Sequence, residues 1–256
     1  MPNILNRRHL PTLADFAASN VLVAFDYDGT LAPIVVDPER ARMRAITARL
    51  LRTVAERYPC AVISGRRLGD LFPRIRTIPL RHLAGNHGIE PWGESERIAS
   101  RVRRWVVALH RRIGGEPGIV IEDKTYSVTL HYRRAFHKPR AVGLIHDAVR
   151  SLPGARIVDG RCSVNVVPSG APHKGDALES ARSLLVCETA IYVGDDGTDE
   201  DAFAAGPPKR LLSIRIGRKR GSRARYWLKS QLEVDLFLRA LARLRSSEAG
   251  RSERSS

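Results

Sequence analysis

Val21-Leu-Val-Ala-Phe-Asp26-Tyr-Asp28-Gly-Thr30 reads as a buried strand that stops on two carboxylates. Five apolar residues without polar alternation suit a strand covered on both faces, as in a parallel sheet. Open α/β sheets place their ligands beyond the C-terminal ends of such strands, so Asp26 and Asp28 should emerge there together. Gly29 gives the backbone freedom to turn sharply. Two carboxylates so spaced can divide the work, one as nucleophile and metal ligand, the other as acid and base.

Working outward, short apolar runs recur at Cys60–Ile63, His82–Ala84, 190–193 and 211–214, with helical periods at 46–58 and 174–185 between them. Strands alternating with helices predict a parallel sheet covered on both sides. The middle of the chain breaks that rhythm. It reads as a helix over 97–112, strands at 118–121 and 126–132 joined by the charged turn Glu122-Asp-Lys124, a helix over 140–152, and strands at 155–158 and 163–167. That pattern is an α+β unit inserted into an α/β core. The expected organisation is a discontinuous core of 1–93 plus 167–244, a cap at 94–166, and a polar tail at 245–256 too poor in apolar residues to fold.

A second acidic cluster follows the run at 190–193: Gly194-Asp195-Asp196-Gly-Thr198-Asp199-Glu200-Asp201. So many carboxylates repel one another unless a cation offsets them, and hard oxygen ligands select Mg²⁺. Asp195 is the expected ligand. Thr198 is expected to cap the next helix, whose positive N-terminus suits Asp199, Glu200 and Asp201. Ser64-Gly-Arg66 closes another strand, where a hydroxyl and a backbone N–H could meet a phosphoryl oxygen. Lys174 opens a helix after the Gly/Pro-rich stretch from Pro168.

Composition narrows the partners. The 256 residues carry 43 Lys and Arg against 27 Asp and Glu, a net charge of +16. That excess invites a nucleic-acid reading. Its largest share, +7, falls instead in 94–166, the segment expected to close over the acidic strand ends. A small anion drawn under a basic cap therefore fits better than nucleic acid. The densest basic run, Arg215 to Arg225, has six basic residues and no acid, and that account leaves it unexplained. No apolar stretch approaches the about 18–20 residues of a membrane span, and the N-terminus lacks the pattern of a signal peptide. Three cysteines without a CxxC pair read as reduced thiols. A cytoplasmic protein is expected. The sequence does not fix the oligomeric state, and a monomer is compatible with it.

At these residues the sequence resembles the haloacid-dehalogenase-like phosphohydrolases, and within them the trehalose-6-phosphate phosphatases. The broader motifs stand as Asp26-Tyr-Asp28-Gly-Thr30, Ser64-Gly-Arg66, Lys174 and Gly194-Asp195-Asp196-Gly-Thr-Asp199. The narrower family is suggested by Ala84-Gly-Asn-His87-Gly88-Ile-Glu90, Glu122-Asp-Lys124, Leu130-His131-Tyr132-Arg133 and His173-Lys174-Gly175. The resemblance implies a Rossmann-like α/β core with an inserted cap and a phosphoric monoester hydrolase that releases trehalose in trehalose biosynthesis. It further implies Asp26 as nucleophile, Asp28 as acid/base, and Ser64 and Lys174 on the phosphoryl oxygens. Mg²⁺ would sit on Asp26, the Asp28 carbonyl and Asp195, with Asp196 and Asp199 supporting. Thr30, Arg66, His87, Gly88, Glu122, Lys124, Arg133 and Asn165 would hold the phosphate and sugar. Asn165 stands where the family is expected to carry a Glu. That departure keeps open a related capped phosphatase acting on sucrose phosphate or on a glucosyl- or mannosyl-glycerol or -glycerate phosphate. A basic regulatory or nucleic-acid-binding protein on the same scaffold is the weaker alternative, because a pure binding module needs no Asp28.

Overall fold

The computed structural model describes the backbone of residues 1–35, 37–92, 95–160 and 162–252, and the side chains among them except at 38 and 246–252. The chain opens with α1 (Leu10–Ala18), β1 (Val21–Phe25), α2 (Ala45–Ala55), β2 (Cys60–Ile63), α3 (Leu68–Ile75) and β3 (His82–Ala84). It continues with α4 (Glu96–Ile113), β4 (Val120–Asp123), β5 (Val128–His131), α5 (Lys138–Arg150), β6 (Ala155–Gly160) and β7 (Ser163–Pro168). It closes with α6 (Lys174–Leu184), β8 (Thr189–Gly194), α7 (Asp199–Phe203), β9 (Leu211–Ile216), β10 (Tyr226–Leu228) and α8 (Gln231–Ser252).

The larger sheet has the order β10-β9-β8-β1-β2-β3, with all pairs parallel. All five residues of β1 are buried, and alternate ones serve opposite faces. Val21, Val23 and Phe25 pack with α1, α2, α3 and α8, whereas Leu22 and Ala24 pack with α6 and α7. Each such large side chain stabilises the fold by about 1.5–3 kcal/mol. This two-sided burial explains why the opening stretch lacks polar alternation. Among the described residues, no helix is long and apolar enough to cross a membrane.

The smaller sheet, β4-β5-β7-β6, is antiparallel and one-sided. Val128, Leu130, Val164 and Val166 turn toward α4 and α5, around the buried Trp105. The alternate residues turn away from that core, as a period of two requires.

Several expectations need correction. Glu122 and Asp123 belong to β4, paired with Thr129 and Val128; the turn itself begins at Lys124, where Thr125 adopts φ 70°. β7 runs to Pro168, one residue past the expected start of the second core segment. The other expected boundary, at 93/94, lies outside the described residues. Helix α8 continues to Ser252, through most of the segment expected to stay unfolded. A helix already anchored on the core by Val234, Phe237, Leu238 and Leu241 extends without a new nucleus, and Arg245, Glu248, Ala249 and Arg251 favour the extension against the poorer helix formers Ser246, Ser247 and Gly250. Residues 253–256 lie outside the described residues.

Candidate active site

The order of the larger sheet reverses between β1 and β8, and there the two acidic motifs meet. The Asp26 N–H donates to the Val193 carbonyl at 2.9 Å, so the ladder carries both strand ends to one place. The chain then folds back on itself: Leu31 and Ala32 both donate to the Tyr27 carbonyl, at 2.9 and 2.8 Å. Gly29 sits in this turn at φ +83°, and a Cβ there would lie 2.1 Å from Asp195 Oδ2. Glycine therefore permits both the turn and the close approach of the two carboxylate loops. Gly29→Ala is expected to destabilise the chain by about 1–3 kcal/mol and to displace Asp195. Parent-like cation-dependent turnover in that variant would contradict this placement.

Lys174 is the hub of the floor. It is 2% exposed and donates to Asp26 Oδ1 at 2.8 Å and to Asp199 Oδ1 at 2.7 Å. It begins α6 because His173 and Asp176 cap that helix reciprocally, side chain to backbone, at 3.2 and 2.9 Å. Asp199 also accepts from Tyr192 Oη at 2.7 Å, and its Oδ2 takes the N–H groups of Asp195 and Asp196 at 2.8 and 2.9 Å. With four donors on two oxygens, Asp199 is spent as an organiser of the loop. Burial and the neighbouring lysine act on it oppositely, and Lys174 with these hydrogen bonds holds it below the usual carboxylate range. Asp196 accepts from both the N–H and the hydroxyl of Thr198, at 2.7 and 2.6 Å. Thr198 therefore turns back to Asp196 instead of capping α7 with its side chain.

Asp26, Asp195 and Asp199 bring carboxylate oxygens within 4.8 Å of one another. Burial pushes Asp26 well up, Asp199 and Asp196 add to this, and Lys174 opposes it. Burial first, then Asp26, Asp196 and Asp199, push Asp195 up as well. Asp195 Oδ1 is buried with no hydrogen-bond partner. One lysine cannot offset three carboxylates, and an orphaned hard oxygen beside them is what a divalent cation satisfies. Because Asp199 is saturated, Asp26 and Asp195 are the carboxylates free to bind one.

Above this floor lies a cavity of about 480 Å³, in the range of small-ligand sites. Its roof is the outward face of the smaller sheet. Glu122 stands opposite Thr129, Thr129 opposite Asn165, and His131 opposite Ser163. All of these line the cavity, as do Lys124 and Arg133. Glu122 accepts from His131 Nε2 at 2.7 Å, with Lys124 Nζ at 3.7 Å. Burial alone would raise Glu122, but His131, Lys124 and Arg66 hold it below its ordinary range. Asn165 accepts from the Thr129 hydroxyl at 2.9 Å, and its amide group donates to the Val158 carbonyl at 3.4 Å.

His87, at φ 61° and 6% exposed, lines the same cavity. Neither ring nitrogen has a partner of normal hydrogen-bond geometry. Burial, then the charges of Lys124, Lys174 and Arg156, hold its pKa well below the ordinary value, offset only in part by the nearby Asn165 amide. The ring is thus neutral and able to donate from one nitrogen and accept at the other. Arg66 grips Asp28 at two points, both 2.7 Å. Burial opposes the charge on Arg66, but this bond to Asp28 raises its pKa above the ordinary value.

Among the expected site residues, Ser64, Thr30, Gly88 and Asp199 do not line the cavity. Ser64 is fully buried and its hydroxyl accepts the Arg66 N–H at 3.1 Å, so Gly65 faces the cavity in its place. Thr30 is likewise fully buried. At Gly88 a Cβ would lie 2.5 Å from the His173 carbonyl, which ties its lack of a side chain to the docking of α6.

Two further residues have roles that the sequence does not show. Asn86 is buried and clasps the smaller sheet: its amide donates to the Lys124 carbonyl at 2.8 Å, and its oxygen accepts from Ser127 Oγ at 2.6 Å. Lys124 Nζ in turn reaches the Gly65 carbonyl at 3.1 Å, closing the roof on the floor. Tyr192 was hidden as one more apolar residue of a buried strand, a pattern that says nothing about its hydroxyl.

A six-stranded parallel sheet with helices on both faces, an inserted antiparallel unit and carboxylates at the switch point define the haloacid-dehalogenase class of fold. The chain belongs to the trehalose-phosphatase family, whose profile matches residues 24–230. A trehalose-phosphate phosphatase of Mycobacterium ulcerans is 35% identical over 240 residues, 86% of this chain and 61% of that protein. The chain thus spans under two thirds of that relative's length. The C-terminal domain of a Candida albicans trehalose-6-phosphate phosphatase shares the fold at a TM-score of 0.76 and 22% identity, covering 95% of this chain and 99% of that one. An Aspergillus fumigatus trehalose-6-phosphate phosphatase matches at a TM-score of 0.62 and 26% identity, covering 96% and 100%.

Proposed function

We propose that this chain is a Mg²⁺-dependent phosphatase that hydrolyses trehalose 6-phosphate to trehalose and phosphate through an aspartyl-phosphate on Asp26. The observation that carries the proposal is the convergence of Asp26, Asp28, Lys174 and the orphaned Asp195 oxygen beneath a polar, sugar-sized roof. The relatives' names support the choice of substrate.

The Asp26 carboxylate, oriented by Lys174, attacks phosphorus and forms an Asp26 O–P bond as the P–O bond to the sugar breaks. For the first step Asp28 must leave its two-point bond with Arg66 and take up a proton, which it then gives to the departing sugar oxygen. Asp28 then takes a proton from the water that attacks phosphorus, releasing phosphate and restoring Asp26. Lys174 offsets negative charge on Asp26 and the phosphoryl oxygens throughout. Asp26, Asp195 and the Asp28 carbonyl would hold Mg²⁺, which when bound would supply further positive charge at those oxygens. Glu122, Lys124, Arg133, Asn165 and the neutral His87 read the sugar hydroxyls. Ser64 acts through Arg66, whose N–H it fixes. A cytoplasmic setting fits three free cysteines, two of them buried.

Removing a hydrogen bond to a charged group costs about 1.5–3 kcal/mol. Glu122→Gln or Lys124→Met should therefore raise KM for trehalose 6-phosphate by roughly 10–100-fold and leave that for p-nitrophenyl phosphate nearly unchanged. Equal effects on both substrates would remove these residues from recognition. Phosphate release from a panel including sucrose phosphate and glucosylglycerate phosphate tests the substrate itself. A preference for trehalose 6-phosphate is expected, and the absence of one would return the choice to the alternatives that Asn165 leaves open.

A further inference from the structure

We infer that Arg215 is the positioning residue for Asp195, an inference that rests on the proposed role of Asp195 as a cation ligand. Arg215 opens the basic run that the charge pattern of the sequence left unexplained. Arg218, Lys219, Arg220, Arg223 and Arg225 in that run are exposed, whereas Arg215 is only 7% exposed. It lies on β9 directly opposite Gly194, the last residue of β8. Its guanidinium therefore reaches the acidic loop that follows.

The contacts form a clamp. Arg215 Nη2 donates to the Asp195 carbonyl, and Nη1 donates to the Asp196 carbonyl at 2.8 Å. Asp199 Oδ2 takes the N–H groups of the same two residues from the other side. Asp195's own side chain lacks such an anchor: Oδ1 has no partner, and Oδ2 is pressed toward the space above Gly29. Its oxygens are consequently placed by the backbone, and Arg215 holds that backbone. The buried charge is compensated by Glu200 Oε1 at 3.0 Å, whose Oε2 accepts the Arg223 N–H at 2.7 Å. Two carbonyls and a carboxylate served at once need the planar fork of Arg, which the single ammonium of Lys does not supply.

The test is cation binding by the full chain without substrate, with Mn²⁺ read by electron paramagnetic resonance. Groups that orient metal ligands typically control affinity by 10–100-fold, so Arg215→Met should raise the Kd for Mn²⁺ by about that factor. Arg215→Lys should recover only part of the loss, and Arg218→Met should bind as the parent does. Saturating Mg²⁺ should return kcat toward the parent value, which a general loss of structure would not allow. If Arg215→Met fails to fold, Glu200→Gln carries the test, with a smaller loss in the same direction. Parent-like Mn²⁺ affinity in every folded variant among Arg215→Met, Arg215→Lys and Glu200→Gln would overturn the inference. If the parent binds no Mn²⁺, or Asp195→Asn binds it equally well, the role of Asp195 fails first and this inference falls with it.

Discussion

Asp26→Asn should lose on the order of 10⁴-fold or more in turnover, as loss of a nucleophile generally does, while the chain stays folded. An amide has no anionic oxygen to attack phosphorus, and the change removes one ligand from the proposed cation. The fold should tolerate it because Asp26 is held against its neighbours' charge. Burial, with Asp199 and Asp196, disfavours its ionised form more than Lys174 favours it, and Lys174 keeps a second partner in Asp199. In EDTA, the unfolding midpoint should lie at or above that of the parent. Mg²⁺-dependent hydrolysis within tenfold of the parent would show that Asp26 is not the nucleophile.

The second large effect is expected at Lys174. Lys174→Met leaves Asp26 and Asp199 buried, close together and without their cation. Breaking a buried ion pair by removing one partner typically costs about 3–5 kcal/mol, which for a chain of this size lowers the melting temperature by roughly 10 °C. Turnover should vanish with it, since the phosphoryl oxygens and Asp26 lose their lysine. The double variant Lys174→Met/Asp199→Asn separates the two effects. It removes the excess buried charge, so part of the stability should return and the activity should not. A Lys174→Met chain that melts with the parent would show that the two contacts contribute little.

The core strands were legible because a fully buried parallel strand is a short, uninterrupted apolar run, as at Val21–Phe25 and Cys60–Ile63, which coincide with β1 and β2; His82–Ala84 coincides with β3, an edge strand buried only at Ala84. The carboxylates at their ends could be placed by the same rule of sheet topology. The inserted unit was legible through its change of rhythm from alternating strands and helices to helix, hairpin, helix, hairpin. Side-chain partners were not. Whether Ser64 turned to a ligand or to the Arg66 N–H depended on a turn whose form only packing decides. Thr198 had two acceptable partners, a helix end and Asp196, and local spacing does not choose between them. In the sequence Glu122 resembles a turn residue because its charged neighbours outweigh the strand signal. In β4 it pairs with Thr129 and faces the cavity. Charge pattern groups Arg215 with the exposed run it begins, whereas its position inside Leu-Leu-Ser-Ile-Arg-Ile, a strand buried along most of its length, marks it as different.

The most direct test of the account is an acid quench of the chain during turnover of trehalose 6-phosphate carrying ³²P. Label should appear on the protein only with Mg²⁺, be released by hydroxylamine as an acyl phosphate is, map to the peptide containing Asp26 and be absent from Asp26→Asn. Turnover with no protein-bound label at any quench time, or label on a residue other than Asp26, would contradict it.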